Sequence, residues 1–127
     1  MLAHIGLTIN NKNDIHKFYE ELLGLETVSE FEISKIISRR IFDIDKKNPI
    51  TLLKNDNLVL ELFYSKKQTE QCYNHIGINI DDRDNFIKKV REKEYPVLVF
   101  PRENRHDLIF IEDSSGNKFE VGVTKKS

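Results

Sequence analysis

The sequence predicts an α+β fold built from two βαβββ modules in tandem, with both sheets curved around one shared site. Three patterns predict it: a strand-like peptide that occurs twice, an amphipathic helix pattern after each copy, and further strand patterns after each helix. The 127 residues suffice for a single domain over 1–127. Within it we expect one module over 1–66 and a second over 72–125.

The repeated peptide carries the first functional clue. Residues 2–9 read LAHIGLTI, and residues 73–80, 71 positions later, read YNHIGINI. Apolar and other residues alternate in both copies, which is the period of a β-strand. His4 and His75 therefore lie at equivalent places, each on the strand face opposite the apolar stripe.

A helix is expected after the first strand. Asn11 or Asn13 can cap its start, and Gly24 lies where a glycine commonly ends a helix. Apolar residues follow the i, i+3, i+4, i+7 spacing of a buried helix face. These residues are Ile15, Phe18, Tyr19 and Leu22.

Three strands are expected to complete the first module. Residues 25–32 alternate, and 49–54 with 58–64 are expected to form a hairpin around the turn residues 55–57. Residues 34–47 are ambiguous. Their apolar residues are consistent with a strand interrupted by two arginines, or with a loop that covers another part of the protein.

The second module repeats this order after a polar linker at 65–71. Asp81 or Asp82 is expected to cap a helix that buries Phe86, Ile87 and Val90 and ends before Pro96. A strand at 97–100 and a hairpin of 108–112 with 118–123 follow it. Each module is therefore expected to read strand, helix and three strands.

Each module also carries one glutamate on its last strand. Glu61 alternates with the leucines of 58–64, and Glu120 alternates with the apolar residues of 118–123, so both face away from the oily stripe. A single histidine or glutamate on a strand is usually hydrogen-bonded or solvated. Recurrence of both residue types in both modules instead favours a metal site formed by His4, Glu61, His75 and Glu120.

Two imidazoles and two carboxylates suit Zn²⁺, Ni²⁺, Co²⁺, Fe²⁺ or Mn²⁺ about equally. A closed tetrahedron of four ligands would be structural zinc. An octahedron would leave two positions for water or for two substrate oxygens, which suits Lewis-acid catalysis through an enediolate. The other histidines serve as contrasts, because His16 lies off the helix stripe and His106, expected to begin a strand, would lie at most at the rim of the site.

Composition excludes several classes of function. The net charge is −1 and basic residues alternate with acidic ones, so we expect no nucleic-acid partner. We find no apolar run near the ~20 residues of a membrane span and no signal peptide, so we expect no membrane association. A single cysteine, Cys72, excludes an intrachain disulfide and a cysteine-based zinc site, and fits a cytoplasmic protein.

Several motifs together resemble those of a known family over nearly the whole chain. They are His4-Ile5-Gly6, Phe18-Tyr19, Leu22-Leu23-Gly24-Leu25, Leu60-Glu61-Leu62, His75-Ile76-Gly77, Glu112-Asp113-Ser114-Ser115-Gly116-Asn117 and Phe119-Glu120-Val121. The chain resembles the vicinal oxygen chelate superfamily. That group includes glyoxalase I, methylmalonyl-CoA epimerases, extradiol dioxygenases, fosfomycin-resistance enzymes and bleomycin-binding proteins.

The order His, Glu, His, Glu is similar to that of bacterial glyoxalase I, the lactoylglutathione lyase. By this resemblance, His4, Glu61, His75 and Glu120 would bind one divalent metal, with Ni, Co or Zn preferred and Fe or Mn as alternatives. Glu61 or Glu120 would also move a proton between adjacent carbons of an α-oxygenated carbonyl, such as a hemithioacetal, through an enediolate. The resemblance implies a small-molecule substrate and a homodimer, with the site within the chain or across the dimer.

Two departures from that pattern put glutathione in doubt as the thiol. The glutathione-using members carry Arg and Asn where this chain has Thr8 and Ser65. Two other functions stay open. One is an extradiol-type dioxygenase with Fe²⁺ or Mn²⁺ and an idle Glu61, and the other is a metal-free binding protein for a small molecule such as an antibiotic.

Overall fold

A computed structural model describes residues 1–66 and 72–124. The chain divides into two compact units, Met1–Gln68 and Thr69–Ser127. Most of the predicted linker, at 67–71, lies outside the described residues, as does residue 125 of the second predicted module. Among the helices of the described residues, none is long and apolar enough to cross a membrane.

The first unit contains one four-stranded sheet in the order β1-β4-β3-β2, in which β1 and β4 are parallel and the other neighbours antiparallel. Its elements are β1 (Ile5–Ile9), a π-helical segment (Ile15–Glu20), β2 (Glu26–Ile33), α1 (Lys35–Phe42), β3 (Asn48–Lys54) and β4 (Val59–Tyr64). Strand β1 begins three residues later than predicted. Its pairing starts with Ile5 opposite Leu60, so β1 contains only residues that have a partner on β4.

The second unit repeats this topology in the strand order β5-β8-β7-β6, with β5 and β8 parallel. Its elements are β5 (His75–Ile80), α2 (Arg83–Glu92), β6 (Val97–Phe100), β7 (Leu108–Glu112) and β8 (Lys118–Val123). Asp82 caps α2, its Oδ1 accepting a hydrogen bond from Asn85 N at 3.2 Å. The predicted α+β fold with two βαβββ modules is confirmed.

The segment 34–47 corrects the sequence reading, because it contains the helix α1 and not a strand or a loop. Ser34 Oγ accepts a hydrogen bond from Ile37 N at 3.2 Å and so satisfies one free amide of the first turn. Ile37 and Ile41, spaced i and i+4, then share a side of the helix. The helix ends at Asp43, whose left-handed φ of 58° breaks the repeat.

The first helical segment follows the predicted stripe but is wider than an α-helix. Glu21 N donates to His16 O at 2.9 Å and Leu23 N donates to Phe18 O at 3.0 Å, both across five residues. Phe18 is completely buried within it. Gly24 then adopts φ 71°, the left-handed conformation that favours glycine after a helix.

Each sheet has one face whose side chains are buried. In the first unit Leu60 and Leu62 are buried, and the buried Leu53 lies opposite Leu60 in register. In the second unit Phe119 and Val121 are buried on the face covered by α2. The opposite face of each sheet, which we call the site face, carries the predicted functional residues.

Candidate functional site

On the first sheet, register places Glu61 beside Gly6 and Phe63 beside Thr8, all on the site face. Glu61 alternates with the buried Leu60 and Leu62, so its carboxylate must point away from the core. His4 precedes β1 by one residue and continues the same alternation. The repeated pattern thus places His4 and Glu61 on the same face of the sheet.

The imidazole and the carboxylate approach each other closely. His4 Nε2 lies 3.7 Å from Glu61 Oε2, with the side chains 49% and 22% exposed. This distance is too long for a hydrogen bond. Two ligand atoms that share one ion at about 2.0–2.2 Å lie about 3–3.5 Å apart, which is close to this separation. The pair therefore fits a divalent metal in both donor type and spacing.

Aromatic side chains flank this polar pair. A Cβ placed on Gly6 would lie 3.3 Å from Phe63 Cε1, so the Phe63 ring packs closely over the backbone of β1 at this glycine. The Phe42 ring of α1 packs on Phe63 with centroids 5.4 Å apart. The sequence reading missed Phe42, because it assigned no helix to this segment.

On the second sheet, Glu120 lies beside Gly77 in register, the same relation that Glu61 has to Gly6. His75 opens β5, two residues before Gly77, on the same face. Its Nδ1 lies 2.8 Å from the carbonyl oxygen of Tyr73, which can only accept, so Nδ1 carries the proton. Nε2 is then the nitrogen available to a metal.

Two further residues of the second unit stand beside the candidate ligands. Phe110 pairs with Glu120 in register, and its ring meets that of His75 edge-on at 5.4 Å between centroids. Lys118 pairs with His75 and places its Nζ 2.9 Å from Glu112 Oε1. The alternation of β8, which put Glu120 on this face, also puts Lys118 there, so this neighbour was readable from the sequence.

Each unit therefore supplies one His and one Glu on its site face. Within either unit, the described residues include no group of three or more His, Cys, Asp and Glu side chains suited to holding a metal ion. The first unit brings its pair into near contact, and the second unit presents its pair on one face. The full four-ligand set stays a prediction.

The residues taken as contrasts lie elsewhere. His16 pairs with the carboxylates of the π-helical segment, with Nε2 2.8 Å from Glu21 Oε1, and is 70% exposed. His106 precedes β7 and its carbonyl accepts from Arg102 Nε at 2.9 Å. Thr8 lies on the site face, whereas Ser65 is buried just beyond β4, its N donating to Ile9 O.

Solved structures with this fold come from several bacteria. The fosfomycin resistance protein FosX of Mesorhizobium loti matches with a TM-score of 0.71 and 17% identity, over 98% of this chain and 92% of that chain. A variant of FosX from Listeria monocytogenes matches with a TM-score of 0.75 and 19% identity, over 98% and 93%. A glyoxalase family protein of Enterococcus faecalis matches with a TM-score of 0.71 and 17% identity, over 95% of both chains.

No curated protein matches the sequence. The family model does match it, over residues 1–121, which span β1 to most of β8 and include all four candidate ligands. This range covers nearly the whole chain. The chain thus belongs to the Glyoxalase/Bleomycin resistance protein/Dioxygenase superfamily.

Proposed function

We propose that this protein is a metal-dependent lyase or isomerase of the glyoxalase I type that acts on an α-oxygenated carbonyl compound through an enediolate. One observation carries the proposal: the same His-and-Glu arrangement occurs on the site face of both sheets, in the same register. A shared metal site accounts for it.

In this proposal His4, Glu61, His75 and Glu120 hold one divalent ion. When bound, the ion supplies Lewis-acid stabilisation to developing negative charge on a substrate oxygen. Nickel, cobalt or zinc suits this ligand set, and iron or manganese is the alternative. The FosX variant of Listeria was crystallised with Mn(II) and 1S,2S-dihydroxypropylphosphonic acid, which supports a divalent metal and an oxygen-rich small ligand for this fold.

The protein's own contribution is the proton transfer. Glu61 is 22% exposed and lies 3.7 Å from the His4 ring, so its carboxylate is near the site yet not held by a hydrogen bond from that ring. Such a carboxylate can take a proton from one carbon and return it to the next. Glu120 occupies the equivalent register position in the second unit and is the other candidate base.

The same FosX complex favours a second candidate function, in which water opens an epoxide to give a vicinal diol. This reaction also requires a divalent metal, but it needs no proton transfer between adjacent carbons. Loss of fosfomycin in the presence of Mn²⁺, without activity on hemithioacetals, would identify it. The dioxygenase and metal-free binding alternatives are tested by the experiment below.

The deciding experiment is elemental analysis of protein purified without a metal-chelating tag. We expect about one equivalent of Ni, Co or Zn per four-ligand site, lost in His75→Ala and weakened in Glu61→Gln. His16→Ala is the matched control, because it removes a surface histidine paired with glutamate outside the site. Bound metal would then justify assays with methylglyoxal and a panel of thiols.

Other outcomes would overturn the proposal. Iron that binds equally well in Glu61→Gln, with oxygen uptake in the presence of catechol, would indicate the dioxygenase. Absence of metal in every sample after add-back would indicate a binding protein.

We also propose that the protein is cytoplasmic, since the exposed free thiol of Cys72 suits a reducing compartment. The resemblance to the family further leads us to propose a homodimer, and sedimentation tests this oligomeric state.

A further inference from the structure

Two phenylalanines form a continuous surface beside Glu61. Phe63 follows Glu61 by two residues on β4 and points to the same face, where its ring covers β1 at Gly6. Phe42, the last residue of α1, meets it at 5.4 Å between centroids with the ring planes inclined at 58°. We call Phe42 and Phe63 the aromatic wall.

The orientation of α1 explains why Phe42 reaches the site face. Ser38, one turn before Phe42 on the same side of the helix, is only 2% exposed, so this side of the helix packs against the rest of the protein. Ile37 and Ile41 lie on another side and are 48% and 68% exposed. The helix thus places the Phe42 ring on the site face, whereas Ile37 and Ile41 lie on another side of the helix.

The aromatic wall still offers ring surface to a ligand. Phe42 is 49% exposed despite its contact with Phe63. Phe31 lies opposite Ile50 on β3, which itself lies opposite Phe63, so it extends the same apolar surface at 45% exposure. Burial of such surface is favourable, whereas a small polar ligand would leave it in water.

We infer that the aromatic wall binds an aromatic substituent of the substrate and that Phe42 is a specificity-determining residue. The inference rests on the proposed function, in which the polar end of the substrate is held near His4 and Glu61. A substrate of this class carries two adjacent oxygens at one end and an aryl group at the other. The ring of such a substrate stacks against Phe42 and Phe63.

Two hydroxamates test this inference, because both chelate a metal through two adjacent oxygens and differ only in their substituent. Benzohydroxamate carries a phenyl ring and acetohydroxamate a methyl group. In titration calorimetry of the metal-loaded protein, we expect Phe42→Ala to lose roughly tenfold in affinity for benzohydroxamate and little for acetohydroxamate. Ile37→Ala, on the same helix, should leave both affinities unchanged.

An equal loss for both ligands in Phe42→Ala, or no loss for either, would overturn the inference. Phe42→Leu keeps apolar volume without an aromatic ring and checks that any loss is not caused by unfolding of α1. If neither ligand binds the metal-loaded protein, the proposed function, in which the bound ion takes two substrate oxygens, has failed. Saturation-transfer NMR of the metal-free protein with benzohydroxamate then tests the wall alone: ring signals that vanish in Phe42→Ala support it, and their absence from the wild type refutes it.

Discussion

Substitution of Asp113 by alanine should destabilise the β7–β8 hairpin that carries Glu120. Asp113 is only 2% exposed and anchors the turn between the two strands. Its Oδ1 accepts hydrogen bonds from Ser115 N and Asn117 N, both at 2.9 Å. Its Oδ2 accepts a third from the side-chain amide of Asn117 at 2.8 Å. Alanine removes both acceptor oxygens and with them all three of these hydrogen bonds.

The expected loss follows from these bonds. A hydrogen bond to a charged acceptor contributes about 1.5–3 kcal/mol, and a buried amide left without a partner loses that contribution. The bond to Ser115 N is buried, whereas Asn117 is half-buried, so water can replace part of what it loses. We therefore expect Asp113→Ala to lower the free energy of unfolding by about 3 kcal/mol.

Asp113→Asn is the matched control. It keeps an oxygen that can accept from both backbone amides, but it removes the negative charge and puts an NH2 group where Oδ2 faced the Asn117 side chain. We expect this variant to lose about 1 kcal/mol. The assay is urea unfolding followed by circular dichroism, with hydrogen exchange of peptides from β7 and β8 to locate the effect in the second unit.

Equal destabilisation by the two substitutions would refute this reasoning, because it would show that the backbone bonds to Oδ1 are unimportant. A loss below about 1 kcal/mol in Asp113→Ala would refute it as well, since water would then satisfy the turn. Faster exchange confined to the first unit would show that the effect does not arise at the turn.

Four further predictions concern other parts of the chain. Phe119→Ala should lower the free energy of unfolding by about 3–5 kcal/mol in urea titration, because Phe119 is completely buried. Gly24→Ala should lower it by about 1 kcal/mol in the same assay, since alanine is strained at φ 71°; an unchanged value would contradict this. Ser34→Ala should speed amide exchange in α1 and remove about 1 kcal/mol by deleting the cap on Ile37, whereas Ser34→Asp should preserve both. Removal of bound metal by a chelator should lower Tm in the wild type and not in His75→Ala. At a metal concentration of 100 Kd the bound metal would stabilise the folded protein by about 2.7 kcal/mol, and the chelator removes this stabilisation.

The placement of the candidate ligands could be predicted because a strand alternates strictly. Once Leu60 and Leu62 belong to the core, Glu61 can only face the other way. The same argument places Glu120, and the register confirms that each glutamate lies beside the equivalent glycine of the repeated peptide.

The helix α1 could not be predicted with the same rule. Its apolar residues occur in adjacent pairs, so they fit a buried strand as well as a helix. The helical choice depends on Ser34, whose side chain caps Ile37, and the Glu or Gln that commonly strengthens such a cap three residues later is absent. The contact of Phe42 with Phe63 depends on tertiary packing and has no local signal.

The π-helical widening of the first helical segment could not be predicted from the sequence either. An i, i+3, i+4, i+7 stripe is the same for an α-helix and for a helix with one extra residue in a turn. The hydrogen bonds from Glu21 to His16 and from Leu23 to Phe18 reveal the difference only in three dimensions. Burial of Phe18 shows that the stripe itself was read correctly.

The parallel pairing of β1 with β4 has a consequence for when His4 and Glu61 come together during folding. Strands β2, β3 and β4 pair antiparallel with strands that are near in the sequence, and such local contacts form early in folding. Among the described strands β1 pairs only with β4, the last strand of the unit, so its pairing requires closure of the longest loop in this sheet, which costs more entropy than the local pairings. His4 and Glu61 come from the opposite ends of this loop, so their meeting is among the last events of folding. A nascent or partly unfolded chain would therefore carry no assembled pair, and under the proposed function its metal affinity would report the completion of the sheet.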